Sequence, residues 1–170
     1  MMSAGTLISV EEYLRTSYHP DREYRDGVVL ERNVGSLSHA KLQTLLSRYI
    51  GNRARDWNVE VFVELRIRAR EGWLPIPDIA VYERPAPTEE VPTRLPLLWI
   101  EILSNDDTIK DVREKIQDAI ACGAPWLWVI DPVTLESDLW SAAGKAPVPN
   151  QTLRLPGSPI VIPLREVIED

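Results

Sequence analysis

The sequence predicts an α/β protein with a central mixed β-sheet flanked by helices, and three observations lead there. An apolar strand segment "PLLWIEIL" (96–103), an amphipathic helix (about 108–122) and a second apolar strand "WLWVI" (126–130) follow one another with few residues between. So compact a strand–helix–strand unit is a crossover, which places its two strands parallel in one sheet. Two further strand segments precede it, "VEVFVELRIRA" (59–69) and "IPDIAVYE" (76–83). A long amphipathic helix, "SHAKLQTLLSRYIGNRA" (38–54), repeats Leu42, Leu45, Leu46, Tyr49 and Ile50 at helical spacing and offers one apolar face to that sheet.

Each element has its own reason. "ISVEEYLRTS" (8–17) reads as a short opening helix, with Ser9 capping its N-terminus and Glu12 closing a capping box. "REYRDGVVLER" (22–32) reads as a hairpin that turns at Asp26-Gly27 and holds Glu23 on its first arm. In 59–69, Val61, Val63, Leu65 and Ile67 alternate with Phe62, Glu64, Arg66 and Arg68, the period of a strand with one polar face. "RPAPTEEVPTRLP" (84–96) has four prolines in thirteen residues, which forbids regular structure and suggests a mobile flap. Residues 105–107 supply turn and capping groups for the crossover helix, whose core stripe reads Ile109, Val112, Ile116 and Ile120. Gly123 and Pro125 end it. The tail from 145 onward offers one or two poor edge strands and a last short helix at 164–168.

A chain of 170 residues is long enough for one well-packed domain and short for two, so a single domain over 1–170 is expected. The formal charge of −7 counts against indiscriminate binding of nucleic acid. One cysteine, Cys122, excludes an intrachain disulfide and a cysteine-rich metal site and fits the reducing cytoplasm. Neither a signal peptide nor a membrane span is expected.

Two carboxylates stand out. Asp78 and Glu101 lie 23 positions apart in neighbouring strand segments, where a charge costs several kcal/mol unless it is paired or bound to a metal. If they converge at a notch in the sheet, the pair suits one hard cation such as Mg²⁺, with Mn²⁺ as substitute. Lys115 sits about 100° from the centre of its helix's apolar stripe, at the edge of the buried face. From there it can reach over the sheet, to assist a water or offset charge on a phosphoryl group. Plainer readings stand beside these: Asp78 as a strand-start carboxylate, Glu101 paired with Arg66 or Arg68, Lys115 as a surface charge paired with Asp111 one turn earlier.

At these residues the sequence resembles a known family. "PDIAVYE", "WIEILSNDDTIKDVREKI", "EYRDGVVLE", "SHAKLQTLLSRYI" and "ACGAPWLWVIDP" together look like the bacterial Uma family of restriction-endonuclease-like proteins, within the PD-(D/E)xK nuclease superfamily. The resemblance implies a restriction-endonuclease-like core and a Mg²⁺-dependent endonuclease acting on DNA. Its acidic pair falls on Asp78 and Glu101, and Glu23 is a supporting carboxylate. The superfamily's usual lysine position is Leu103 here, and the resemblance moves the lysine to Lys115. Ala119 stands where a tyrosine is common.

Glu23 can equally be a surface acid pairing with Arg22 or Arg25, and His39 can either approach a phosphate or make a local hydrogen bond. Residues 41–70 hold seven basic side chains against three acidic, and Arg66 and Arg68 are the phosphate-contact candidates among them. Six tryptophans, two of them in "WLWV" near the expected sheet edge, suggest a homodimer. A non-catalytic binding module on the same fold and a hydrolase of a small phosphorylated molecule remain alternatives.

Overall fold

The computed structural model describes residues 7–169. The expectation of no signal peptide rests partly on residues 1–6, which lie outside the described residues. The elements run α1 (Val10–Arg15), β1 (Arg22–Arg25), β2 (Val28–Glu31), α2 (Leu37–Arg53), β3 (Val59–Val63), β4 (Trp73–Leu74), β5 (Ile79–Glu83), β6 (Leu98–Ile102), α3 (Ile109–Ala121), β7 (Trp126–Ile130), β8 (Ser137–Ser141), β9 (Gly144–Pro147), β10 (Thr152–Arg154), β11 (Val161–Pro163) and α4 (Leu164–Glu169). The main sheet has the order β3-β5-β6-β7-β8-β9. All its pairings are antiparallel except β6 with β7, which are parallel as the crossover requires.

Side-chain alternation splits the core into two layers. Leu98, Ile100 and Ile102 of β6, with Trp128 and Ile130 of β7, pack toward Leu42, Leu46 and Ile50 of α2. On the opposite face Trp99, Leu127 and Val129 pack with Ile116 and Ala119 of α3. Glu101 shares the parity of Trp99, so the pleat turns it toward α3. A smaller sheet, β2-β1-β4, packs Tyr24 and Leu74 against Tyr13 of α1. Its hairpin turns on Asp26 and Gly27, both at positive φ, the twist that a two-residue connection between strands favours.

Several expectations need correction. The strand predicted over 59–69 stops at Val63, because Glu64 adopts φ 52° and reverses the side-chain alternation. Val59 and Val61 therefore pack on the α2 side, while Leu65, Ile67 and Ala69 pack on the α3 side. The backbone beyond the break bonds instead to the 73–75 segment, Ile67 N–H to the Pro75 carbonyl and Ala69 N–H to that of Trp73. Ile109 is 81% exposed, so the buried stripe of α3 begins at Val112. β7 is interior, flanked by β6 and β8, which removes the edge position on which the dimer expectation leaned. The 84–96 segment has no regular structure, as predicted, yet it is pinned: Pro92 is buried and accepts from Arg68 N–H, and the Arg94 carbonyl accepts from Tyr82. No helix among the described residues is long and apolar enough to cross a membrane.

Candidate active site

The antiparallel ladder between β5 and β6 ends at the pair Ile79–Ile100. One residue further on, Asp78 and Glu101 flank the point where the strands part. Asp78 takes over from the ladder: its Oδ2 accepts from Ile102 N–H at 2.7 Å, a donor that would otherwise lack a partner on that side. Its own carbonyl accepts from Glu64 N–H at 3.1 Å and from Gln43 Nε2 at 3.0 Å, which locks the strand end to α2. The β-strand break at Glu64 thus serves Asp78 directly.

Asp78 is only 6% exposed, and two basic side chains face it. His39, in the first turn of α2 behind its cap Ser36, places Nε2 3.3 Å from Oδ2. Arg32, from the segment between β2 and α2, places Nη2 3.4 Å from Oδ1. Burial alone would raise the Asp78 pKa, but the His39 and Ile102 hydrogen bonds outweigh it and hold the carboxyl below its ordinary value. The same bond raises the pKa of His39.

Glu101 meets different neighbours. Its Oε1 accepts from Trp99 Nε1 at 2.6 Å and lies 2.8 Å from Lys115 Nζ. Lys115 also donates to Glu23 Oε1 at 2.9 Å, and that oxygen accepts from Ile76 N–H at 3.0 Å. Burial pushes Glu101 up to about 7; Lys115 pulls against this, while the charges of Asp78 and Glu23 add to it. The two carboxylates together outweigh burial at Lys115 and raise its pKa, so it stays an ammonium.

Asp78, Glu101, Lys115, Glu23 and His39 therefore line one cleft of about 620 Å³. The expected Asp111–Lys115 pair is absent among the described residues. Asp111 bonds instead to Thr108, the cap of its own helix, at 2.6 Å. Arg66 and Arg68 do not line the cleft. Arg66 stacks its guanidinium 5.0 Å from the Tyr13 ring, and nearby Arg70 pairs with Asp26. Ala119 packs fully buried in the α3 layer, away from the cleft. Arg25 and Arg32 are the cleft's arginines. Arg32 is the last residue of the hairpin segment 22–32, and nothing in that local pattern shows that the chain beyond β2 turns it toward Asp78.

The donor chemistry fits a hard divalent ion. Asp78 and Glu101 offer carboxylate oxygens, and Mg²⁺ is commonly held by one or two carboxylates with several waters. The short contacts of each fall on one oxygen, Oδ2 and Oε1. Among the described residues no three His, Cys, Asp or Glu side chains group to hold a metal ion between them. A cation here would therefore rest on two protein carboxylates.

The family described as "Putative restriction endonuclease", Uma2, matches residues 10–163. Among solved structures, a crystal structure of a "putative nuclease belonging to DUF820" from Anabaena variabilis ATCC 29413 superposes with a TM-score of 0.80 at 20% identity, covering 95% of this chain and 98% of that one. At that identity the likeness establishes the fold alone, a central mixed sheet flanked by helices. A DrdV–DNA complex aligns at a TM-score of 0.40 and 14% identity, over 73% of this chain and 10% of that one, too distant to bear an argument. No curated protein matches the chain.

Proposed function

We propose that this chain, which belongs to the Uma2 family, is a metal-dependent endonuclease that hydrolyses phosphodiester bonds of DNA. The observation that carries the reading is the position of Lys115 Nζ, 2.8 Å from Glu101 and 2.9 Å from Glu23, in the cleft that Asp78 also lines. Four residues, from β1, β6, α3 and the bend just before β5, meet where the sheet opens, and their chemistry suits phosphoryl transfer to water.

Asp78 and Glu101 would hold Mg²⁺, or Mn²⁺ in its place, and a bound ion supplies Lewis-acid polarisation of a phosphoryl oxygen and a more acidic water. The chain's own groups do the rest. Lys115, kept charged by its two carboxylates, offsets negative charge that builds on the phosphoryl oxygens. Glu23, anchored by the Ile76 N–H, positions Lys115. Glu101, raised to about 7 by burial, gives up its proton to ligate a cation as the carboxylate. His39 is 8% exposed and already bonded to Asp78, so it acts through that carboxylate and not on the phosphate. The same reading puts the protein in the cytoplasm, where Cys122 stays reduced; the homodimer expected from the tryptophans has lost its sheet edge and is a question for light scattering.

A second reading has its own observation. Lys115 already pairs with both Glu101 and Glu23, as the lysine of a retired site would, and this favours a non-catalytic binding module on the nuclease fold. One paired assay separates them: cleavage of single- and double-stranded DNA with Mg²⁺ or Mn²⁺, beside thermal unfolding, for the parent and Lys115→Met. The endonuclease reading expects a rate loss on the order of a hundredfold, about 3 kcal/mol, with binding of Mn²⁺ retained. Cleavage by the parent that survives in Lys115→Met within about threefold removes the lysine from the chemistry. A parent that cleaves nothing on the panel supports the binding module.

A further inference from the structure

We infer that Arg32 is a built-in competitor for the cation: its guanidinium occupies Oδ1 of Asp78, yields that oxygen to a divalent ion, and then contacts a phosphate oxygen of the substrate. The inference rests on the cation reading above and adds a residue to which that reading gives no role.

The contact geometry separates Arg32 from the other bases of the cleft. Lys115 is held at 2.9 and 2.8 Å by two carboxylates, and Arg25 is committed to Asp118 on α3 and lies over the Trp73 ring. Arg32 instead makes two long contacts, 3.4 Å to Asp78 and 3.9 Å to Glu64, at the outer limit of an ion pair. It is bound loosely enough to leave. Asp78 is arranged to let it leave, because its contacts with Ile102 and His39 both fall on the other oxygen, Oδ2. An ion at Oδ1 therefore displaces the guanidinium without disturbing what anchors the carboxylate.

The backbone beneath Arg32 is fixed, which keeps a displaced side chain inside the cleft. Asn33 donates to Ser104 Oγ at 3.2 Å and to Asp107 Oδ1 at 2.9 Å, tying the segment across to the loop that follows β6. Two residues on, Gly35 packs against His39, and a Cβ there would lie 2.7 Å from Nδ1. With Glu31 paired to Arg22 in the β1–β2 ladder on one side and the Asn33 side chain tied down on the other, residue 32 has chiefly its side chain free to swing. Arginine's planar fork of donors matches the oxygens of a phosphate as it matches those of a carboxylate, so its release from Asp78 prepares it for the substrate.

The test uses the full chain, Mn²⁺ titration by calorimetry, and a short fluorescent single-stranded oligonucleotide read by anisotropy in Ca²⁺ and in EDTA. Arg32→Gln should bind Mn²⁺ about tenfold more tightly than the parent, the weight of one charged hydrogen bond removed from Asp78. It should lose about tenfold in oligonucleotide affinity in Ca²⁺ and little in EDTA. Arg32→Lys, which keeps the charge without the fork, should hold Mn²⁺ affinity near the parent's and fall between the two on the oligonucleotide. Mn²⁺ affinity that is unchanged or weaker in Arg32→Gln, with the parent binding normally, overturns the role of Arg32 and leaves the cation site standing. Tighter Mn²⁺ with unchanged oligonucleotide affinity overturns the phosphate contact. A parent that binds no Mn²⁺ brings down the cation reading itself, and this inference with it.

Discussion

Asp78 and Glu101 stand one strand apart in the same cleft, yet their surroundings drive them in opposite directions. Asp78 is met by donors only, the Ile102 N–H, His39 and Arg32, and is held charged below the ordinary carboxylate range. Glu101 competes with Glu23 for a single ammonium and sits in the field of Asp78, and burial carries it up to about 7. Burial is common to both, so the difference lies in the ratio of donors to carboxylates around each. One side of the cleft keeps its charge at all ordinary pH, and the other exchanges its charge near neutrality. A cation bound between them would meet one carboxylate already charged and one whose proton it must displace.

The comparison breaks most visibly at Asp78. Removing its carboxylate strands Arg32, His39 and the Ile102 N–H together, and Asp78→Ala should lose about 3–5 kcal/mol of stability in urea unfolding at pH 7. A loss below about 1 kcal/mol would mean that the donors find water instead.

Glu101 should behave in the contrary sense. Its pKa is raised in the fold, so the folded state holds its proton more tightly than the unfolded chain. That stabilisation is complete below the unfolded value of 4.5 and is lost as pH rises through about 7. Glu101→Gln cannot titrate, and its stability relative to the parent should rise by about 2–3 kcal/mol between pH 4.5 and pH 8. Parallel stability curves for the two proteins would contradict the raised pKa.

The finest effect is expected at Gly35, where an added Cβ meets His39 Nδ1 at 2.7 Å. Gly35→Ala should push the ring off Asp78, cost about 1–2 kcal/mol, and return the His39 pKa toward its ordinary value in an NMR titration. The pH response of Glu101 should stay as it was, since nothing on that side moves.

Much of this arrangement is readable from sequence where local chemistry decides it. The Asp26-Gly27 turn, the Ser9 cap and the β6-α3-β7 crossover follow from short patterns, and they place Glu23, Lys115 and Glu101 on their elements, although the cap of α3 is Thr108 and not one of residues 105–107. Their convergence was legible only as an expectation, because no residue pattern records which strands part or where. Glu64 shows why alternation misleads: an apolar period of two runs through it unbroken, while the backbone turns left-handed to serve Asp78. The interior position of β7 was hidden for a different reason. β8 and β9, "SDLWS" and "GKAP", are too polar to announce themselves, yet they extend the sheet beyond it. Helical spacing alone pairs Asp111 with Lys115, but the cap residue Thr108 holds it instead.

The bond between Glu23 and Lys115 joins residues 92 positions apart. Contacts of that separation close only after the intervening chain has found its place, since the entropy of a long loop must be met before the contact repays it. During synthesis, the hairpin that bears Glu23 leaves the ribosome long before α3, and until α3 docks, neither Glu23 nor Glu101 has its ammonium. The cleft therefore has its full set of charges only once α3 has docked. A nascent or truncated chain that lacks α3 carries the acidic half of the machinery without the lysine that completes it.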